Sequence, residues 1–244
     1  MIVGETGSGK SVLALEIAKH FNGEIVCADS RTIYKGLDIG TAKPSKQDQQ
    51  RIPHHLLDII EPDKAFSVGQ FKELANKAIA DIRSGGKLPI IVGGTGLYVD
   101  SVLFDYQFSE PGSKRDEQNP RHLKKTVASA PLKMRSDAFV IGLSLDQSEH
   151  KKRVHERVKD MFRHGLPNEA QTLAQVYGWD APGLQTIGYK EFRENNEPTD
   201  EIERNTLLYA KRQRTWFKRN KSIHWVNQQS NAIDLVTTLL NTSN

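Results

Sequence analysis

Apolar positions along the chain fall into short runs separated by stretches of helical period. Three runs rich in β-branched residues, EIVCAD (24–29), LPIIVGG (88–94) and AFVIGLSL (138–145), have the near-continuous hydrophobicity of strands covered on both faces of a parallel sheet. A fourth, IHWVN (223–227), is shorter, and only Ile2 and Val3 lead into the first glycine-rich loop. Helical patterns lie between them at 11–21, 68–83 and 147–163. In the first, Val12, Leu13, Leu15, Ile17, Ala18 and Phe21 are apolar, and Gly23 stands just past the end. Strands alternating with helices after a glycine loop predict an α/β fold, a doubly wound parallel sheet of the P-loop NTPase-like kind. Right-handed crossovers put the carboxyl ends of the strands on one edge, so the glycine loop, Asp29 and Thr95 are expected to converge there. From 147 onward the chain reads as mostly helical, through NEAQTLAQVYG and DEIERNTLLYAKRQRTWFKRN, giving the core a helical C-terminal part. Residues 105–137 are polar, basic and without a strong period. The expected organisation is therefore a core of 1–104 and 138–244, with 105–137 as a loop or short helical excursion.

Composition narrows the function classes. A chain of 244 residues makes one or two domains with a proper core. The balance of 34 Lys+Arg against 30 Asp+Glu permits a nucleic-acid partner without requiring one. A single cysteine, Cys27, excludes a disulfide framework and fits a reducing, cytoplasmic location. There is no charged-then-apolar leader and no long apolar run, so neither secretion nor a membrane span is expected. No internal repeat and no Cys/His metal spacing is present; His54 and His55 adjoin the sheet and are expected to pack or hydrogen-bond.

Chemistry enters with Gly4-Glu5-Thr6-Gly7-Ser8-Gly9-Lys10-Ser11, which fits G-x-x-x-x-G-K-[ST]. Glycines at these positions let backbone N–H groups turn inward around phosphate oxygens. Lys10 adds a full charge, Ser11 offers a hydroxyl to magnesium, and the following helix points its positive end at the anion. The loop leaves open which phosphate it holds, since any nucleotide or diphosphate satisfies the same physics. Asp29, at a strand end facing the loop, could hold magnesium or orient an acceptor in a P-loop kinase. The basic end of the last long helix, with Lys211, Arg212, Arg214, Lys218, Arg219 and Lys221, reads equally as a solvated face or as a phosphate-backbone contact.

Seven ordered segments are more specific. ADSRTIYKGLDIGTAKP (28–44), IPHHLLDIIEP (52–62), GGTGLY (93–98), NPRHL (119–123), RVHERVKDMFRHGL (153–166), QTIGYKEF (185–192) and AKRQRTWFKRN (210–220) resemble the tRNA dimethylallyltransferases, or isopentenyl-tRNA transferases. The resemblance runs from residue 2 to about residue 227. It implies that the P-loop holds the diphosphate of dimethylallyl diphosphate rather than a nucleoside triphosphate, with Mg2+ at Ser11. The prenyl group would go to N6 of adenosine 37 in tRNA, beside the anticodon, with release of diphosphate. By the same resemblance Asp29 is the general base, Arg157 a second cation, and Thr95 a lining residue where adenine and donor meet. The implied tRNA contacts are Asp29, Ser30, Arg31 and Thr32; Arg121, His122, Leu123, Lys124 and Lys125; Gln185, Thr186, Ile187, Gly188, Tyr189 and Lys190; and Lys211, Arg212, Gln213, Arg214 and Lys218. A monomer is implied as well.

Four departures from the family pattern carry their own expectations. The strand before the loop is brief, so either the start is trimmed or the strand is weakly packed. Glu5 stands where proline is common, and a carboxylate beside a phosphate is expected to turn outward or pair with a cation. The stretch between Tyr98 and Asn119 is too short for the helical insertion with which relatives grip the anticodon stem, which predicts weaker, more salt-sensitive tRNA binding. Lys124 and Lys125 replace a pair that more often reads Ile-Arg. Three rival readings share the loop: a metabolite kinase, a prenyltransferase acting on a free adenine nucleotide, and a non-catalytic tRNA binder. Lys10, Asp29 and Arg157 argue against the last, and the basic C-terminal helix against the second.

Overall fold

The computed structural model describes residues 1–108, 133–227 and 230–241. Six strands, β1 (Ile2–Gly4), β2 (Gly23–Cys27), β3 (His54–His55), β4 (Leu88–Gly93), β5 (Val140–Leu143) and β6 (Ile223–Val226), form one sheet of order β3-β2-β4-β1-β5-β6. Every neighbouring pair is parallel. The helices are α1 (Lys10–His20), α2 (Lys46–Arg51), α3 (Val68–Ser84), α4 (Gly96–Leu103), α5 (Gln147–Arg163), α6 (Leu166–Tyr177), α7 (Thr199–Phe217) and α8 (Ser230–Asn241). The expected doubly wound α/β fold is therefore present, and residues 109–132, with most of the expected excursion, lie outside the described residues.

Each face of the sheet has its own core. On one, Leu13, Ala14, Ile17 and Ala18 of α1 join Ala232 and Val236 of α8 against Ile25, Ile90 and Ile141. On the other, Phe71, Ala75, Ile79 and Ile82 of α3 and Val99, Val102 and Leu103 of α4 pack on Val26 and Ile91. Phe71 stacks on Tyr98 at 4.1 Å between ring centroids. Burying each such Leu, Ile or Phe side chain contributes about 1.5–3 kcal/mol. A third core lies beyond the sheet, where Ile33, Tyr34 and Leu37 meet Val154, Val158, Leu166, Leu184, Tyr189 and Ile202. It fastens the C-terminal helices to the segment following β2.

Some elements needed the structure to appear. β3 is two residues long and exists through its pairing with Ile25 and Val26. α2 has no buried residue and α4 is apolar on most sides, so neither shows a one-sided stripe. α3, by contrast, has a capping box in which Ser67 and Gln70 satisfy each other's backbone amides. The brief first strand is not weakly packed: β1 sits between β4 and β5, and Ile2 and Val3 are buried. Its pairing to both neighbours compensates for its length.

Candidate active site

The glycine loop leaves β1 at the carboxyl edge of the sheet, where the strand order reverses and open α/β sheets bind ligands. Gly4 has φ +147°, and a Cβ there would meet the Leu143 carbonyl oxygen at 2.7 Å. Gly9 takes φ +93° as the residue capping α1, and no side chain occupies the first amides of that helix. These amides stay available to an anion. The Lys10 ammonium donates to the Glu5 carbonyl at 2.7 Å, closing the loop. The Ser8 hydroxyl is buried without a partner, and the Ser11 hydroxyl is exposed with none among the described residues.

Asp29 follows β2. The Arg31 amide donates to its Oδ1 at 2.8 Å, and its other oxygen has no hydrogen-bond partner among the described residues. Thr95 ties the neighbouring strand end to this loop: its Oγ1 accepts from the Ser30 amide at 3.0 Å, and its amide donates to the Ala28 carbonyl at 3.3 Å. Burial and the charge of Asp29 push the Tyr209 hydroxyl of α7 up to about 12, while hydrogen bonds to Thr95 and Gln213 offset part of that rise. Arg157 comes from α5, whose buried stripe of Val154, Val158 and Met161 leaves Arg153 and Arg157, one turn apart, on the rim. Its Nη2 donates to the Thr41 carbonyl at 3.4 Å.

Lys10, Ser11, Asp29 and Arg157 line one cavity of about 460 Å³, with Thr6, Gly9, Thr32, Thr41, Lys43 and Arg153 also in its wall; Thr95, expected to line it, is not among its lining residues. The segment 41–45 closes one side. Ala42 there has φ +50°, and Lys43, its side chain 3 % exposed, donates to the Tyr34 carbonyl at 2.7 Å and pairs with Asp38 at 2.6 Å and with Asp58. Burial pulls the Lys10 ammonium down to about 8; Asp29 counters this and Arg157 adds to it. Burial also disfavours the Arg157 charge, which Asp29 supports. Burial, then Asp29, pushes the Cys27 thiol far up, so it is an inert wall group.

Burial thus weakens the Lys10 charge, which a bound anion would restore. Lys10 attracts phosphate only when charged, so affinity for an alkyl diphosphate, which carries constant charge above neutral pH, falls as pH rises through about 8. The slope approaches about tenfold per pH unit. Calorimetric titration across that window checks this. In Lys10→Arg, whose guanidinium stays charged, the slope disappears.

The other sequence-derived contacts are placed unevenly. Ser30 and Arg31 border the cavity wall, and Thr32 lies in it with its hydroxyl buried and unpartnered. Arg121, His122, Leu123, Lys124 and Lys125 lie outside the described residues. In QTIGYK only Gln185 and Lys190 are exposed. Thr186 and Tyr189 are buried, and the Tyr189 hydroxyl donates to Glu169 at 2.5 Å and accepts from the Gly40 amide at 3.0 Å. That segment forms a corner of the helical core. Lys211 and Arg212 of α7 and Lys218, which caps its end, are exposed, whereas Gln213 and Arg214 face inward to the glycine loop. Glu5 is buried, contrary to an outward turn, and pairs with Arg214 at 2.6 Å. The sequence reading passed over Arg153, Lys43 and Tyr209. The i, i+4 spacing of Arg153 and Arg157 was a usable signal; the other two had none.

The family model described as IPP transferase matches residues 32–134 and 116–220. A tRNA dimethylallyltransferase of Acetivibrio thermocellus is 36% identical over 284 residues, covering 93% of this chain and 91% of that protein. One of Staphylococcus epidermidis is 34% identical over 304 residues, covering 99% and 91%. Both alignments are longer than the 244 residues of this chain, so these relatives carry residues with no counterpart here. Among solved structures, the tRNA delta(2)-isopentenylpyrophosphate transferase of S. epidermidis superposes with a TM-score of 0.82 at 32% identity, covering 99% of this chain and 98% of that one. The tRNA isopentenylpyrophosphate transferase of Bacillus halodurans gives 0.84 at 29% identity, covering 99% and 94%.

Proposed function

The chain belongs to the IPP transferase family, and from that premise we propose that it transfers the dimethylallyl group of dimethylallyl diphosphate to N6 of adenosine 37 in tRNA. The observation that carries the mechanism is the shared cavity, in which Lys10 and Arg157 stand with the Asp29 carboxylate. The glycine-loop amides, Lys10 and Arg157 take the diphosphate. As the allylic C–O bond breaks, its electron pair leaves with the diphosphate, and these groups bind the growing charge more strongly than the ground state. The adenine amine is a poor nucleophile because its lone pair is delocalised. The free oxygen of Asp29 accepts a hydrogen bond from that amine and takes its proton as the N–C bond forms. The base has to leave its stack to reach the cavity, which an anticodon loop permits at modest cost.

Magnesium suits this donor set. Ser11 presents an unpartnered hydroxyl at the helix start, and no cluster of three or more His, Cys, Asp or Glu exists among the described residues. Ser11 is the residue that would hold such an ion. When bound it supplies further positive charge to the leaving group.

The outward cations Lys211, Arg212 and Lys218 are the proposed phosphate contacts for tRNA. Among the described residues no helix is long and apolar enough to cross a membrane. As proposed, the enzyme works as a cytoplasmic monomer. Offering labelled dimethylallyl diphosphate to tRNA, AMP and ADP in parallel tests the assignment. Label is expected in tRNA alone, and label in AMP or ADP would instead establish a nucleotide prenyltransferase.

A further inference from the structure

Helix α7 carries polar side chains of opposite orientation at neighbouring positions. Lys211, Arg212 and Lys218 are exposed, but Gln213 is only 4 % exposed. Its Oε1 accepts from the Thr6 amide at 2.8 Å, and its Nε2 donates to the Gly94 carbonyl at 2.9 Å. Beside it, Arg214 donates from Nε at 2.9 Å and from Nη2 at 2.6 Å to Oε2 of Glu5, which is 3 % exposed. Tyr209, one turn earlier, lies beside Gln213 and Thr95. One helix therefore grips the glycine loop at two successive residues and the end of β4 at a third point. Gly94 is shaped to this amide, since a Cβ there would come within 2.0 Å of the Gln213 Nε2.

We propose that Gln213 is a positioning residue for the diphosphate. It holds the Thr6 amide from the basic helix and thereby sets the loop that grips the leaving group, without touching substrate or RNA. A buried amide with its acceptor removed must find another, and the six glycines of GETGSG and GGTG give it freedom to move. The inference rests on the diphosphate site proposed above.

The test is calorimetric binding of inorganic diphosphate to the wild type, Gln213→Ala, Gly94→Ala and the double variant. It is accompanied by tRNA affinity at fixed salt and by steady-state kinetics. Gln213→Ala is expected to weaken diphosphate binding about tenfold. It should raise KM for the donor while tRNA affinity stays within about twofold. Gly94→Ala displaces the same amide and should give the same loss, and the double variant should be no weaker than either single, because both break one contact. Equal diphosphate affinity in wild type and Gln213→Ala overturns the inference, as does a loss confined to tRNA binding, which would make Gln213 an RNA contact. If the wild type does not bind diphosphate at all, the loop assignment falls and the inference with it. Should Gly94→Ala not fold, Gln213→Ala decides alone.

Discussion

Asp29→Asn lowers the rate of prenyl transfer by about 10²- to 10⁴-fold while leaving donor and tRNA affinity nearly unchanged. The substitution isolates proton acceptance. An asparagine carbonyl can keep the hydrogen bond from the Arg31 amide, observed at 2.8 Å, so the loop after β2 retains its shape. What is lost is the second carboxylate oxygen, which has no hydrogen-bond partner among the described residues, on a residue that lines the cavity shared with Lys10. Without it the adenine amine has no carboxylate to take its proton, and its lone pair stays in the ring. Single-turnover measurement with saturating donor and tRNA separates this from binding. A rate within a few-fold of wild type would remove Asp29 from the role of base.

Arg157→Ala is the second large effect, with an expected loss of about 10²- to 10³-fold in turnover. On the proposed reading the guanidinium meets the charge that grows on the departing diphosphate; it lies in a cavity wall where burial already disfavours its charge. A cation held in such a place interacts more strongly with the transition state than with the donor, so kcat should fall more than KM rises. Arg157→Lys restores the charge without the planar fork and should recover part of the loss. Arg157 also donates to the Thr41 carbonyl at 3.4 Å, so a thermal melt is needed to show that segment 41–45 is still in place. A variant that raises only KM would make Arg157 a binding residue and leave the leaving-group charge to Lys10 and the loop amides.

One departure from the family pattern, Glu5, now has a physical reading. Glu5 does not burden the phosphate site, because Arg214 reaches it from 209 positions along the chain and neutralises it. That pair is buried on the carboxylate side, so Glu5 is held away from the anion. QTIGYK is mainly architecture: Tyr189 spends its hydroxyl on Glu169 and the Gly40 amide, which joins the corner to the loop walling the cavity.

Spacing and periodicity were enough to find the glycine loop, the buried parallel strands, α1, α3, α5 and α7, and an acid, Asp29, at the end of β2; its reading as the base came from the family resemblance. These features depend on contacts within a few residues or on a repeating face, and both are written along the chain. β3, α2 and α4 escaped because a two-residue strand, an all-polar helix and a helix apolar on most sides have no clear period to read. The direction of side chains on α7 could not be read either. Lys211, Arg212, Gln213 and Arg214 form one polar run, and charge alone marks no difference among them. Only the packing of α7 against β1 and the glycine loop turned Gln213 and Arg214 inward and left Lys211, Arg212 and Lys218 outside. The chain specifies which groups exist; long-range packing of helices on a sheet edge decides which of them meet, because that meeting depends on partners up to two hundred residues away.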